Sequence, residues 1–116
     1  MTVTIWHNPR CSKSRQTLDL LRSRGVEPTV REYLKEPPSK TEIEKLIALL
    51  GGDPRELIRD GEAEFKALKL TKADLTRAEI ADAIARHPAL LQRPIVVKGA
   101  QAKIGRPPEA VLPLLK

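Results

Sequence analysis

The sequence predicts a small α/β (α+β) domain with the order β-α-β-α, a helical insertion, then β-β-α. Three observations carry this expectation. Short β-prone runs give way abruptly to helix-forming segments, two Ser/Thr-x-x-Glu capping boxes open apolar-periodic helices, and two late β-prone runs flank a Gly-Ala turn. At 116 residues there is room for one core, so a single domain over 1–116 is expected. A chain of this size buries roughly two-thirds of its unfolded surface and can fold without covalent staples.

Val3 to Trp6 reads as a first strand that runs into the breaker Asn8-Pro9. From Ser14 to Arg24 the residues are good helix formers, with Leu18 and Leu21 on one face and Gly25 at the C′ position. Thr29 to Tyr33 is a second strand, and Pro37-Pro38 ends what precedes it. Ser39-Lys40-Thr41-Glu42 is a capping box. Ile43, Leu46, Ile47 and Leu50 follow at i, i+3, i+4 and i+7, and Gly51-Gly52 stops the helix. Between Pro54 and Leu70 short helices are expected, broken at Asp60-Gly61. Thr76 to Glu79 forms the second box, opening a helix that runs through Arg86 to His87-Pro88. Ile95 to Lys98 is a third strand, Gly99-Ala100 a turn, and Ala102 to Ile104 its antiparallel partner. A last helix is expected after Arg106-Pro107-Pro108-Glu109, kept short by Pro113.

Composition narrows the function. The only cysteine is Cys11, so no internal disulfide can form, and a lone thiol suits a reducing compartment. No run approaches the roughly 20 apolar residues of a membrane span, and the N-terminal residues lack a basic leader. A cytoplasmic location without membrane contact is therefore expected. The net charge of +6 suits an anionic partner. Trp6, Tyr33 and Phe65 are the only aromatics and the basic residues are scattered, which argues against nucleic acid. No His/Cys spacing matches a metal site, so none is expected.

Cys11 sits between the first strand and the first helix, where backbone N–H groups point out unpaired. The thiolate is the reactive form, and a helix N-terminus favours it by roughly 0.3–1 kcal/mol. Arg10, Lys13 and Arg15 add positive charge, and the Ser12 and Ser14 hydroxyls can donate. An inert core cysteine is the competing reading, but it would want apolar neighbours, and these are charged and polar.

His7-Asn8-Pro9-Arg10-Cys11-Ser12-Lys13-Ser14-Arg15 resembles the active-site loop of the glutaredoxin-coupled arsenate reductases. Glu27-Pro28, Tyr33-Leu34, Arg93-Pro94-Ile95-Val96-Val97 and Arg106-Pro107 follow in the family's order, so the likeness spans essentially the whole chain. It points to the branch of small stand-alone homologues. The resemblance implies a thioredoxin-like fold with a helical insertion and a cis peptide bond at Arg93-Pro94. It makes Cys11 the catalytic cysteine and Arg59, Arg93 and Arg106 the oxyanion ligands, with His7 and Ser14 supporting the thiol. Guanidinium groups suit a tetrahedral oxyanion because their paired N–H donors give charge-assisted bonds worth about 1.5–3 kcal/mol each. On its own, Arg59 would be an ordinary surface arginine, and His87 a helix-end residue. A cation such as Arg106 at a helix start opposes the macrodipole, which hints at a nearby anion.

The resemblance also implies reduction of arsenate to arsenite with no bound cofactor. With no second thiol in the chain the resolving thiol must come from outside, and the resemblance implies glutathione as co-substrate and glutaredoxin as the recycling partner. Two alternatives stand beside this reading. One is a regulator like the Spx proteins that bind RNA polymerase, whose Cys-x-x-Cys switch would be broken here by Ser14. The other is a glutathione-dependent oxidoreductase with a different substrate. A monomer is the default expectation.

Overall fold

The structure, a computed structural model, describes residues 2–115. Its contacts divide the chain into two compact units, Met1–Glu36 with Arg93–Lys116, and Pro37–Gln92.

The first unit is built on a four-stranded sheet. Its strands are β1 (Val3–His7), β2 (Thr29–Glu32), β3 (Ile95–Lys98) and β4 (Gln101–Ile104), in the order β2-β1-β3-β4. β1 runs parallel to β2 through the crossover helix α1 (Ser12–Ser23), and β3 is antiparallel to both β1 and β4. Parallel neighbours need such a crossover, whereas β3 and β4 are joined by the two-residue Gly99-Ala100 turn, with Gly99 at φ +59°. A central place explains the almost complete burial of β1, while β2 at an edge leaves Thr29 and Val30 exposed. Trp6 pairs in register with Arg31, whose guanidinium lies 4.7 Å from the indole centroid. Val3, Ile5, Leu21, Val96, Val111 and Leu114 form one core cluster.

Sequence and structure agree on the α/β class and on the position of each strand. The last helix differs in type. Pro108–Leu115 is a 3-10 helix that carries Pro113 inside it. Proline offers no N–H for an i−4 bond, and three residues per turn bring Val111 and Leu114 onto one buried face. On α1 the buried positions are Ser14, Thr17 and Leu21, with Leu18 only partly buried. The leucine pair expected to anchor this helix therefore shares the role with two hydroxyl residues.

The second unit is helical. α2 (Lys40–Leu50) opens on the expected capping box, with Glu42 N–H donating to Ser39 Oγ and Ser39 N–H to Glu42 Oε1, and ends at Gly51 with φ +74°. Thr76 and Glu79 repeat the arrangement at the start of α4 (Arg77–Arg86). α2 packs on α4 through Ile43, Leu46 and Ile47 on one side and Ile80, Ala81 and Ile84 on the other. Between them lie a 3-10 turn at Pro54–Leu57 and α3 (Ala63–Ala67), on either side of the expected break at Asp60-Gly61. Arg59 N–H donates to Leu90 O and Gln92 N–H to Leu57 O, both at 2.7 Å, around an Ile58–Leu91 bridge. Among the described residues no helix is long and apolar enough to cross a membrane.

Candidate active site

β1 ends at His7, and the four residues before α1 form a tightly bonded loop. Asn8 is its anchor. Its side-chain oxygen accepts from Arg10 N–H at 3.0 Å and its carbonyl from Cys11 N–H at 3.0 Å. Its own N–H donates to Ser14 Oγ at 3.1 Å. Arg15 closes the loop from the helix side by donating to the Pro9 carbonyl at 2.8 Å. Cys11 is thereby fixed as the N-cap residue of α1, with extended backbone angles (φ −92°, ψ 123°) and a partly buried side chain.

The sulfur sits in a field that favours its anion. Burial pushes the Cys11 thiol up. That push is outweighed by the Ser14 backbone N–H, the Arg93 guanidinium and the Lys13 backbone N–H, so the thiol lies below its ordinary value. Arg106 adds a second guanidinium, with Nη2 3.5 Å from Sγ, and its Nε donates to the Arg93 carbonyl at 2.7 Å. The sulfur therefore faces two arginines that arrive from chain positions more than 80 residues away in sequence. Fixed donors of this kind suit a tetrahedral anion as well as a thiolate.

His7 lies beneath this group. Its Nδ1 is 2.6 Å from Ser14 Oγ, and the ring is only 5% exposed. Burial holds its pKa below the usual histidine value, and Arg22 and Arg15 push the same way against Glu32. The ring is neutral near neutral pH and ties the end of β1 to the first turn of α1. A depressed histidine takes up its proton more readily in the unfolded chain. Stability is therefore full above about pH 6.5 and declines as pH falls through the lower folded value. His7→Asn should flatten this decline in thermal melts recorded from about pH 7.5 to 5. An unchanged slope would show that other groups set it.

Cys11, His7, Ser14, Arg93 and Arg106 thus come together in the first unit. Arg59 lies in the second, where its Nε is 3.2 Å from Glu62 Oε1 and its side chain is 25% exposed. The Arg93-Pro94 bond is cis, in line with the resemblance, and Arg106-Pro107 is cis as well. His87 caps the end of α4, with Nδ1 3.3 Å from Glu64 Oε2. Among the described residues no group of three or more His, Cys, Asp or Glu stands close enough to hold a metal ion.

A model of the ArsC family matches residues 6–114. The chain belongs to the ArsC family. Within it, the sequence is 47% identical to an arsenate reductase of Haemophilus influenzae over 116 residues, covering 99% of this chain and 100% of that protein. It is 46% identical to an arsenate reductase of Rhizobium meliloti, covering 99% of this chain and 82% of that protein. The solved structure of an arsenate reductase from Vibrio cholerae superposes with a TM-score of 0.91 at 46% identity, covering 97% of each chain.

This ArsC-family chain holds site residues that its sequence did not advertise. Asn8 and Arg15 were part of the motif, but their bonds to the loop could not be read from residue type. Gly105 is not among the residues that the sequence singles out for the site. A glycine at the end of a strand can mark a close approach of chain segments, and that was the available signal.

Proposed function

We propose that this chain reduces arsenate to arsenite, with Cys11 as nucleophile and glutathione as the source of the resolving thiol. The observation that carries this reading is a partly buried thiol held below its ordinary pKa by the Ser14 and Lys13 amides and the Arg93 guanidinium, with Arg106 Nη2 3.5 Å from the sulfur. Relatives named arsenate reductase at 46–47% identity over nearly the whole chain support it.

In this reading Arg93 and Arg106 grip the arsenate oxygens and lower the repulsion between two anions. The resemblance adds Arg59 as a third ligand. The Cys11 thiolate attacks arsenic, and one arsenate oxygen leaves as water with two protons. A glutathione thiolate then attacks the Cys11 sulfur. The arsenic–sulfur electron pair passes to arsenic, so As(V) becomes As(III) and the two sulfurs become a mixed disulfide. Glutaredoxin reduces that disulfide and returns the thiol. Ser14 and His7 hold the loop that carries the nucleophile. The Spx-type alternative lacks its paired cysteine, because Ser14 stands at the second position.

The test is NADPH consumption in a mixture of the protein, glutathione, glutaredoxin and glutathione reductase, with and without arsenate. The expected result is oxidation that depends on arsenate, on the protein and on glutaredoxin together. An equal rate without arsenate sinks the proposal, and arsenate-dependent oxidation that ignores glutaredoxin replaces the recycling partner.

A further inference from the structure

Gly105 stands where a side chain does not fit. A Cβ at this position would lie 2.7 Å from Pro94 Cγ, 2.7 Å from Thr17 Oγ1 and 3.2 Å from Thr17 Cγ2. Neither neighbour is free to yield. Thr17 is fully buried on α1 and its hydroxyl donates to the Lys13 carbonyl at 2.8 Å. Pro94 is buried, and its carbonyl accepts from Gly105 N–H at 2.9 Å. The next residue is Arg106, whose Nε donates to the Arg93 carbonyl at 2.7 Å. Residues 105 and 106 are thus bonded to the carbonyls of residues 94 and 93, with Thr17 filling the space beside Gly105.

We propose that Gly105 and Thr17 are positioning residues for the Cys11 thiolate. The close approach they permit sets how far the Arg106 guanidinium reaches toward the sulfur. Arg106 Nη2 stands 3.5 Å from Sγ, so a displacement of a few tenths of an ångström at residue 105 is passed directly to that contact. Thr17 also lies about 1.7 helical turns from Cys11, so the same contact fixes α1 against the arginine pair. This inference rests on reading Cys11 as a nucleophilic thiolate, but it does not need arsenate to be the substrate.

The experiment measures the rate of Cys11 alkylation by iodoacetamide against pH, which reports the thiolate fraction without any oxyanion. Arg106→Ala should slow alkylation at about pH 6 by roughly three- to tenfold. Gly105→Ala should slow it to a similar degree, and adding Arg106→Ala to Gly105→Ala should then change little. Thr17→Ala, which opens slack rather than adding bulk, should shrink the effect of Arg106→Ala. The double variant Thr17→Ala with Gly105→Ala relieves the contact with Thr17 but not the one with Pro94 Cγ, so it should recover only part of the wild-type rate.

If Gly105→Ala lowers the melting temperature yet leaves the effect of Arg106→Ala as in the wild type, the role is structural and the proposal fails. Should Gly105→Ala not fold, Thr17→Ala decides alone, and an undiminished effect of Arg106→Ala in that background overturns it. Normal alkylation behaviour in a protein that does not turn over arsenate would sink the arsenate reading and leave this one standing.

Discussion

Cys11→Ser should abolish arsenate turnover, lowering the coupled rate by more than about 10³-fold to the background of the assay. Two physical reasons act together. A serine hydroxyl stays protonated near neutral pH in any such field, so the nucleophile is lost. The second reason is stricter. Arsenic can gain its two electrons only if two sulfurs end up bonded, and oxygen at residue 11 cannot take that place. Conservative size therefore offers no protection. The fold should not suffer, because residue 11 is the N-cap of α1, and serine is among the preferred N-cap residues while the native cysteine side chain makes no capping bond of ordinary geometry. The melting temperature should stay the same or rise. Turnover at a tenth of the wild-type rate would refute the assignment. A loss of turnover accompanied by a large drop in melting temperature would show damage to the fold instead.

Much of the scaffold was legible because local rules set it. Both capping boxes, the Gly25 and Gly51 helix ends and the two-residue β3–β4 turn depend on residues within a few positions of each other. The site was legible in a different way. Cys11 and its basic neighbours pointed to a reactive thiol, and the resemblance supplied Arg93 and Arg106. What the sequence could not show was how distant segments meet. The sheet order places β3, and with it Arg93, beside β1 and the Cys11 loop, a consequence of pairing between positions 89 to 95 residues apart. The need for glycine at 105 has the same origin, since the atoms that exclude a side chain belong to Thr17 and Pro94. The 3-10 form of Pro108–Leu115 is intermediate. Pro113 argued against a continued α-helix, yet it lies inside the 3-10 helix rather than ending it, and the three-residue spacing of Val111 and Leu114 acquires meaning only against a core.

Arg93→Ala should be the most damaging change after loss of the thiol, lowering kcat/KM for arsenate by about 10²–10³-fold. The side chain does two things at once. Its guanidinium stabilises the Cys11 thiolate, and in the proposed reaction it also grips the incoming oxyanion. Removing it raises the thiol pKa and weakens anion binding, so KM should rise while kcat falls. The backbone carbonyl of residue 93 survives the substitution, and with it the bond that holds Arg106 Nε, so the two arginines can be dissected separately. Arg93→Lys makes the separation sharper. Lysine keeps the positive charge near the sulfur but not the planar pair of donors that matches a tetrahedral anion. Alkylation of Cys11 near pH 6 should recover much of its wild-type rate in Arg93→Lys, whereas KM for arsenate should remain elevated. If lysine restored both, charge alone would suffice and fork geometry would not matter. If alanine changed KM without slowing alkylation, Arg93 would serve the oxyanion only, and the low thiol pKa would have to come from the amides of Ser14 and Lys13 and from Arg106.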